Sequence, residues 1–175
     1  MSFKGKKVVV SGGAGALGTA VVGQLLDLGA SVHIPAFNAH EAERFAHKDA
    51  SGVTVVAGVD LTDEATVTRF YAGVGEVWAS IHIAGGFDMG PLLDTSADAF
   101  DRQMNMNARP CFLCSRVAVR HTNAAGGRNV NVSARPGVQR GEGAGEVAAI
   151  GREAWMERGG GVVGGVDIGS RDECH

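Results

Sequence analysis

No apolar run in this chain approaches the roughly 18 residues that a membrane-spanning helix needs, so no membrane partner is expected. Charge of one sign is equally scarce: 16 Lys and Arg stand against 19 Asp and Glu, a net charge of -3. That near-balance leaves no electrostatic footprint for nucleic acid or an anionic surface. Three cysteines are too few for a disulfide framework. Cys111 and Cys114 are spaced C-x-x-C, but inside a helical pattern that spacing simply puts both on one face. They read as buried structural thiols, and no metal site is expected. Cys174-His175 would reach such a site only by folding back. Residues 1–7 hold no signal-peptide apolar region, and a soluble cytoplasmic protein is expected. Tyrosine occurs once, at Tyr71, and no lysine follows Lys48.

Glycine, by contrast, is abundant, and its placement is informative. Lys7-Val8-Val9-Val10 is a short β-branched run that breaks into Ser11-Gly12-Gly13-Ala14-Gly15-Ala16-Leu17-Gly18. Gly13, Gly15 and Gly18 fit the G-x-G-x-x-G spacing of a dinucleotide-binding turn. One glycine permits the sharp exit from the strand, and a second lets backbone approach a pyrophosphate. A third allows the helix to pack on the strand, with its first N–H groups facing the anion.

Strand and helix then alternate. Strands are predicted at 8–11, 31–34 (stopped by Pro35), 53–59, 77–83 and 129–133. Helices are predicted at 16–28, 40–47 and 64–72, the last capped by Thr62 or Asp63. A long helical stretch at 96–121 is predicted to kink near Pro110, which has no N–H to donate. This order implies an α/β fold, a Rossmann-like, doubly wound parallel sheet in a three-layer α/β/α sandwich. At 175 residues the chain suits one domain with a real core, or part of a larger one. Composition divides it into a dinucleotide-binding domain at 1–136 and a Gly-rich tail at 137–175. Sixteen glycines fall in the first stretch and eleven in the 39 residues of the second. That density opposes regular structure, although a helix at 146–157 and a strand at 161–168 are compatible with the pattern.

Over about residues 4–136 the sequence resembles the short-chain dehydrogenase/reductase family. Ser11 to Gly18 is similar to the family's T-G-x-x-x-G-x-G, with Ala16 replacing the middle glycine. Asp60 matches an acidic residue that binds the adenine edge, and Ile81-His82-Ile83-Ala84-Gly85 stands where the family has N-N-A-G. Asn107 falls at the helical catalytic asparagine and Ser133 at the catalytic serine. The resemblance implies hydride transfer between nicotinamide and a carbonyl or alcohol carbon of a small-molecule substrate. It implies cofactor contacts from Gly12, Gly13, Gly15, Leu17, Gly18, Asp60, Leu61, Ala84, Gly85 and Gly86. Read from the residues alone, Asp60 also suits the start of a turn, with the adenine contact the favoured role, and His82 on a buried strand reads as a satisfied core histidine.

The cofactor is NAD or NADP. The end of the second strand reads Pro35-Ala36-Phe37-Asn38, with neither the acid that holds a ribose 2′-OH nor an arginine for a 2′-phosphate. Glu41 and Arg44 follow in conflicting senses. NAD is favoured because no basic residue sits within the glycine turn. Phe87, Met89, Pro91 and Leu92 are candidates for an apolar substrate wall.

The family's Tyr-x-x-x-Lys pair is not found. Ala144-Gly145-Glu146-Val147-Ala148 leads into Ala149, Ile150 and Gly151, and the lysine position falls on Glu153 or Ala154. Phenol near pKa 10 is a poor base at neutral pH unless a cation stabilises phenolate, so weak or no activity is expected. A truncated or frame-shifted tail would explain both the missing pair and the glycine excess. Plausible GC-rich codons for Ile150 to Ala154, read one nucleotide later, encode Ser-Ala-Ala-Lys. A C-terminally incomplete sheet would expose an edge and one face of the 96–121 helix, so homo-oligomerisation or aggregation is expected.

Overall fold

The computed structural model describes residues 2–87, 92–122 and 127–132. Ser133, the predicted elements at 146–157 and 161–168, and Cys174-His175 lie outside these residues. β1 (Lys7–Ser11) carries Val8, Val9 and Val10, all fully buried, which is possible only for a strand covered on both faces. Val8 and Val10 point into one apolar cluster with Val22, Leu25, Val32, Ile34 and Phe45. Val9 points into the opposite one, with Val67, Phe70, Tyr71, Leu113 and Val117.

Four further strands pair in parallel: β2 (Ser31–Pro35), β3 (Val53–Val56), β4 (Ala79–His82) and β5 (Arg128–Asn131). Their order is β3-β2-β1-β4-β5, so the winding direction reverses between β1 and β4. α1 (Ala16–Asp27) and the residues after α2 (Ala39–Arg44) cover one face. α3 (Glu64–Val74) and α5 (Arg109–His121) cover the other, and α4 (Ala97–Gln103) precedes α5. This is the doubly wound, Rossmann-like architecture expected from the alternation of elements.

Several boundaries differ from the pattern reading for identifiable reasons. Pro35 does not stop β2 but ends it from within. Pairing with β1 runs only to His33, so no neighbour on that side needs a proline N–H, while Pro35 still pairs with Val56. β3 ends at Val56, three residues early, because Gly58 turns the chain with φ of +78°. β4 is Ala79–His82 rather than 77–83, and Val77 makes only a bridge to Thr122. β5 likewise ends at Asn131. α2 stops at Arg44 because Phe45 turns extended and buries its ring in the α1-side cluster. α3 runs on to Val74, whose side chain is buried. Its cap is Asp63, which accepts from the Ala65 N–H at 3.0 Å, because Thr62 is already held by Asp60.

The predicted kink is a wider, π-type turn, Met104–Ala108, between α4 and α5. A proline ring inside a helix collides with the carbonyl four residues earlier, here Met106. Widening the turn around that carbonyl relieves the collision, so the distortion lies before Pro110 rather than at it.

Candidate functional site

The site is built at the reversal point, outside the carboxyl ends of β1 and β4, where ligands of such sheets bind. Gly12 leaves β1 with φ of +72°, a conformation open to glycine and strained for other residues. A Cβ there would stand 2.5 Å from the backbone nitrogen of Ala84, so the two loops touch through backbone alone. The Ser11 carbonyl closes this junction by accepting from the N–H groups of Ile83 and Ala84, both at 3.0 Å. A Cβ on Gly18 would overlap the Gly12 carbonyl oxygen, and one on Gly13 would press on Ile34 at 3.0 Å. These glycines let α1 lie directly on the turn.

Gly15 differs from its neighbours. It is the N-cap of α1, is exposed, and makes no side-chain cap, and an added Cβ would meet only the Gly12 oxygen at 3.3 Å. Ala16 and Leu17 are exposed beside it. The first N–H groups of a helix have no partner within it, so this uncapped end presents donors and positive dipole to solvent. Ala16, in the place of the family's middle glycine, adopts no positive φ and so causes no strain.

Asp60 follows β3, and its Oδ1 accepts from both the N–H (2.8 Å) and the hydroxyl (2.7 Å) of Thr62. The residue therefore shapes its own turn. Leu61 packs partly buried against the α3–α5 cluster.

On the far side of the reversal point, Gly85 and Gly86 are exposed and lie beneath the π-type turn. A Cβ on Gly85 would come within 2.5 Å of Asn107 Oδ1, and one on Gly86 would overlap the sulfur of Met106. Asn107 Oδ1 accepts from the Gly86 N–H at 3.0 Å, while its amide donates to the Gln103 carbonyl at 3.1 Å and to Gln103 Oε1 at 3.0 Å. The asparagine thus fastens the loop after β4 to the helix. Gln103 was not among the predicted site residues, although its position four residues before Asn107 on a helix was a readable signal. Phe87 is 62% exposed; Met89, Pro91 and the side chain of Leu92 lie outside the described residues.

Behind the site runs a buried polar chain that periodicity did not reveal. The Tyr71 hydroxyl lies 2.7 Å from Ser80 Oγ, Ser80 Oγ 2.9 Å from His82 Nε2, and His82 Nδ1 2.7 Å from Asn131 Oδ1. Ser115 Oγ adds a contact to His82 Nδ1 at 3.0 Å. An amide oxygen only accepts, so Nδ1 carries the hydrogen and Nε2 accepts from Ser80, which leaves Tyr71 as donor to Ser80. His82 is thus a satisfied core histidine, neutral because burial lowers its pKa to about 4 against the opposing pull of Asn131. Burial likewise pushes the Tyr71 phenol well above its ordinary value. Cys114, beside that phenol, is raised to about 12 by burial, and Cys111 is raised too. Thiols so raised stay protonated and unreactive near neutral pH.

Comparison with known proteins agrees with this geometry. The family model for short chain dehydrogenases matches residues 6–149. Sorbitol dehydrogenase from Cereibacter sphaeroides is 28% identical, over 81% of this chain and 57% of its own. Carbonyl reductase [NADPH] 2 from Sus scrofa is 32% identical, over 76% of this chain and 54% of its own. A solved short chain dehydrogenase from Burkholderia cenocepacia, in complex with NADP, superposes with a TM-score of 0.74 at 27% identity, over 88% of this chain and 65% of that one. The chain spans somewhat over half the length of the relatives it matches. With a parallel sheet reversing at a glycine turn and a family match over most of its residues, the chain belongs to the short-chain dehydrogenase/reductase family.

Proposed function

We propose that this chain holds the dinucleotide of an NAD(P)-dependent oxidoreductase acting on a small carbonyl or alcohol substrate. The observation that carries this reading is the uncapped, exposed N-terminus of α1 at Gly15, set beside the Gly12–Ala84 junction. A pyrophosphate fits such an end, where N–H donors converge and no side chain intrudes. The nicotinamide supplies or accepts the hydride. Gly12 and Gly18 shape the cradle, Asp60 stands at the adenine side with Leu61, and Asn107 holds the Gly85–Gly86 loop. Ser133, two residues beyond β5, is assigned the substrate oxygen.

NAD is the cofactor we favour. Glu41 Oε2 accepts from the Phe37 N–H at 2.7 Å, which puts a carboxylate at the end of β2 where a 2′-phosphate would be repelled. Turnover by this chain is expected to be weak, because its one tyrosine is buried in the α3–α5 core and no lysine follows Lys48. The family match stops at residue 149, beside the stretch 150–154 for which plausible GC-rich codons read one nucleotide later give Ser-Ala-Ala-Lys, and this supports a frame change there. The same absence favours a second reading, a non-catalytic NAD(P)-binding module or subunit. Phe112 and Val119, exposed on α5, support self-association.

Titration with NADH and NADPH, paired with a carbonyl-reduction assay, tests these readings. NADH is expected to bind more tightly, with turnover on the order of 10²–10⁴ below that of a relative carrying Tyr-x-x-x-Lys. Failure to bind either nucleotide overturns the proposal. Binding without any turnover selects the module, and full-rate reduction refutes the weak-activity reading. A gene sequence in which no single-base shift near codon 150 restores Tyr-x-x-x-Lys removes the frame change.

A further inference from the structure

Arg109 is the first residue of α5, exposed, and directly follows the turn that carries Asn107. Its Nε–H donates 2.6 Å to the carbonyl oxygen of Thr62, in the loop after β3. Thr62 is the residue whose N–H and hydroxyl both bind Asp60 Oδ1. One hydrogen-bonded path therefore runs from Asp60 through Thr62 to Arg109, continues along the backbone to Asn107, and ends at the Gly86 N–H. It joins the two loops on opposite sides of the reversal point. A second cation on the same helix, Arg116, pairs with Glu64 in the first turn of α3, one helical span further from the site. The two arginines divide the work: Arg116 joins helix to helix, whereas Arg109 reaches past α3 to the loop itself.

From this we infer that Arg109 is a positioning residue for the adenine side of the cofactor site. It rests on the cofactor reading above. Thr62 has no other long-range hydrogen bond among those described, so its carbonyl is fixed toward α5 by this arginine alone. Releasing it loosens Thr62 from α5, while the Thr66 hydroxyl on the Asp60 carbonyl and the packing of Leu61 keep the rest of the turn anchored and both cores intact. Arginine suits the task because its planar, always-charged group donates along a fixed direction. Lysine can still reach a carbonyl with its ammonium, whereas alanine cannot.

The test uses the full chain and its Arg109→Ala and Arg109→Lys variants, titrated with NADH and with ADP-ribose, alongside thermal melting. Loss of one hydrogen bond from a charged donor predicts about two- to tenfold weaker binding of both ligands by the alanine variant. Its melting midpoint should match the parent, and the lysine variant should regain most of the affinity. Wild-type affinity in Arg109→Ala overturns the inference while leaving the cofactor reading in place. So does a loss of binding that tracks a fall in melting temperature and that lysine does not restore. If the parent chain binds neither ligand, the cofactor reading falls and this inference falls with it.

Discussion

The two faces of the sheet are stabilised in different ways. On the α1 side the described buried side chains are apolar, from Val8 and Val10 to Ile34 and Phe45, and the glycines at the sheet's end are there for closeness. On the α3–α5 side the apolar cluster is threaded by Tyr71, Ser80, His82 and Ser115, every one of them buried. The first face depends on shape, so it is sensitive to volume. The second depends on buried hydrogen bonds to a histidine, so it is sensitive to protons.

The sharpest way to break the first face is Gly18→Ala. Its new Cβ would collide with backbone, not with the yielding end of a side chain, and a destabilisation on the order of 3 kcal/mol is expected, with loss of nucleotide binding. A urea titration of the variant checks it; an unchanged midpoint would mean that α1 can lift off the turn.

The second face should respond to acid by a similar amount. His82 is held at about 4 in the folded protein against 6.5 when exposed, so the unfolded chain takes up the proton first as pH falls. Stability from this group is complete above about pH 6.5 and is lost toward pH 4, by about 3 kcal/mol in all. Unfolding midpoints across that window measure the slope, and His82→Asn should flatten it. An equal slope in the variant would place the acid sensitivity elsewhere.

The smallest effect sharpens the contrast within the glycine turn. Gly15→Ala faces open space apart from the Gly12 oxygen, so stability should change by no more than about 0.5 kcal/mol. Nucleotide affinity should nonetheless fall, because the methyl occupies the approach of the anion. Equal affinity would show that the pyrophosphate does not come that close.

The difference between the faces also explains what could be read from sequence. Val8-Val9-Val10 followed by Gly12 to Gly18 is a local signal, because strand, turn and helix start are adjacent in the chain. The same holds for the Asp60 turn and the helix after it, although competition for Thr62 decided the cap and no spacing rule displays that. His82 was legible as a core histidine. The chain through it draws on α3, β4, α5 and β5, and nothing local joins Tyr71 to Asn131. Pro110 announced a distortion, but its steric consequence falls on a carbonyl four residues back, and so the widened turn holds Asn107 over Gly86.

The contact between Gly12 and Ala84 has a consequence for the order of folding. The glycine motif is written within the first 18 residues, yet its cradle is finished only when residue 84 arrives and β4 pairs with β1. Closing so long a loop costs entropy before any contact rewards it, which makes this a late event on the folding path. A nascent chain that already displays the whole motif is therefore still without the pocket, and nucleotide capture during refolding would time the docking of β4 rather than the formation of the turn.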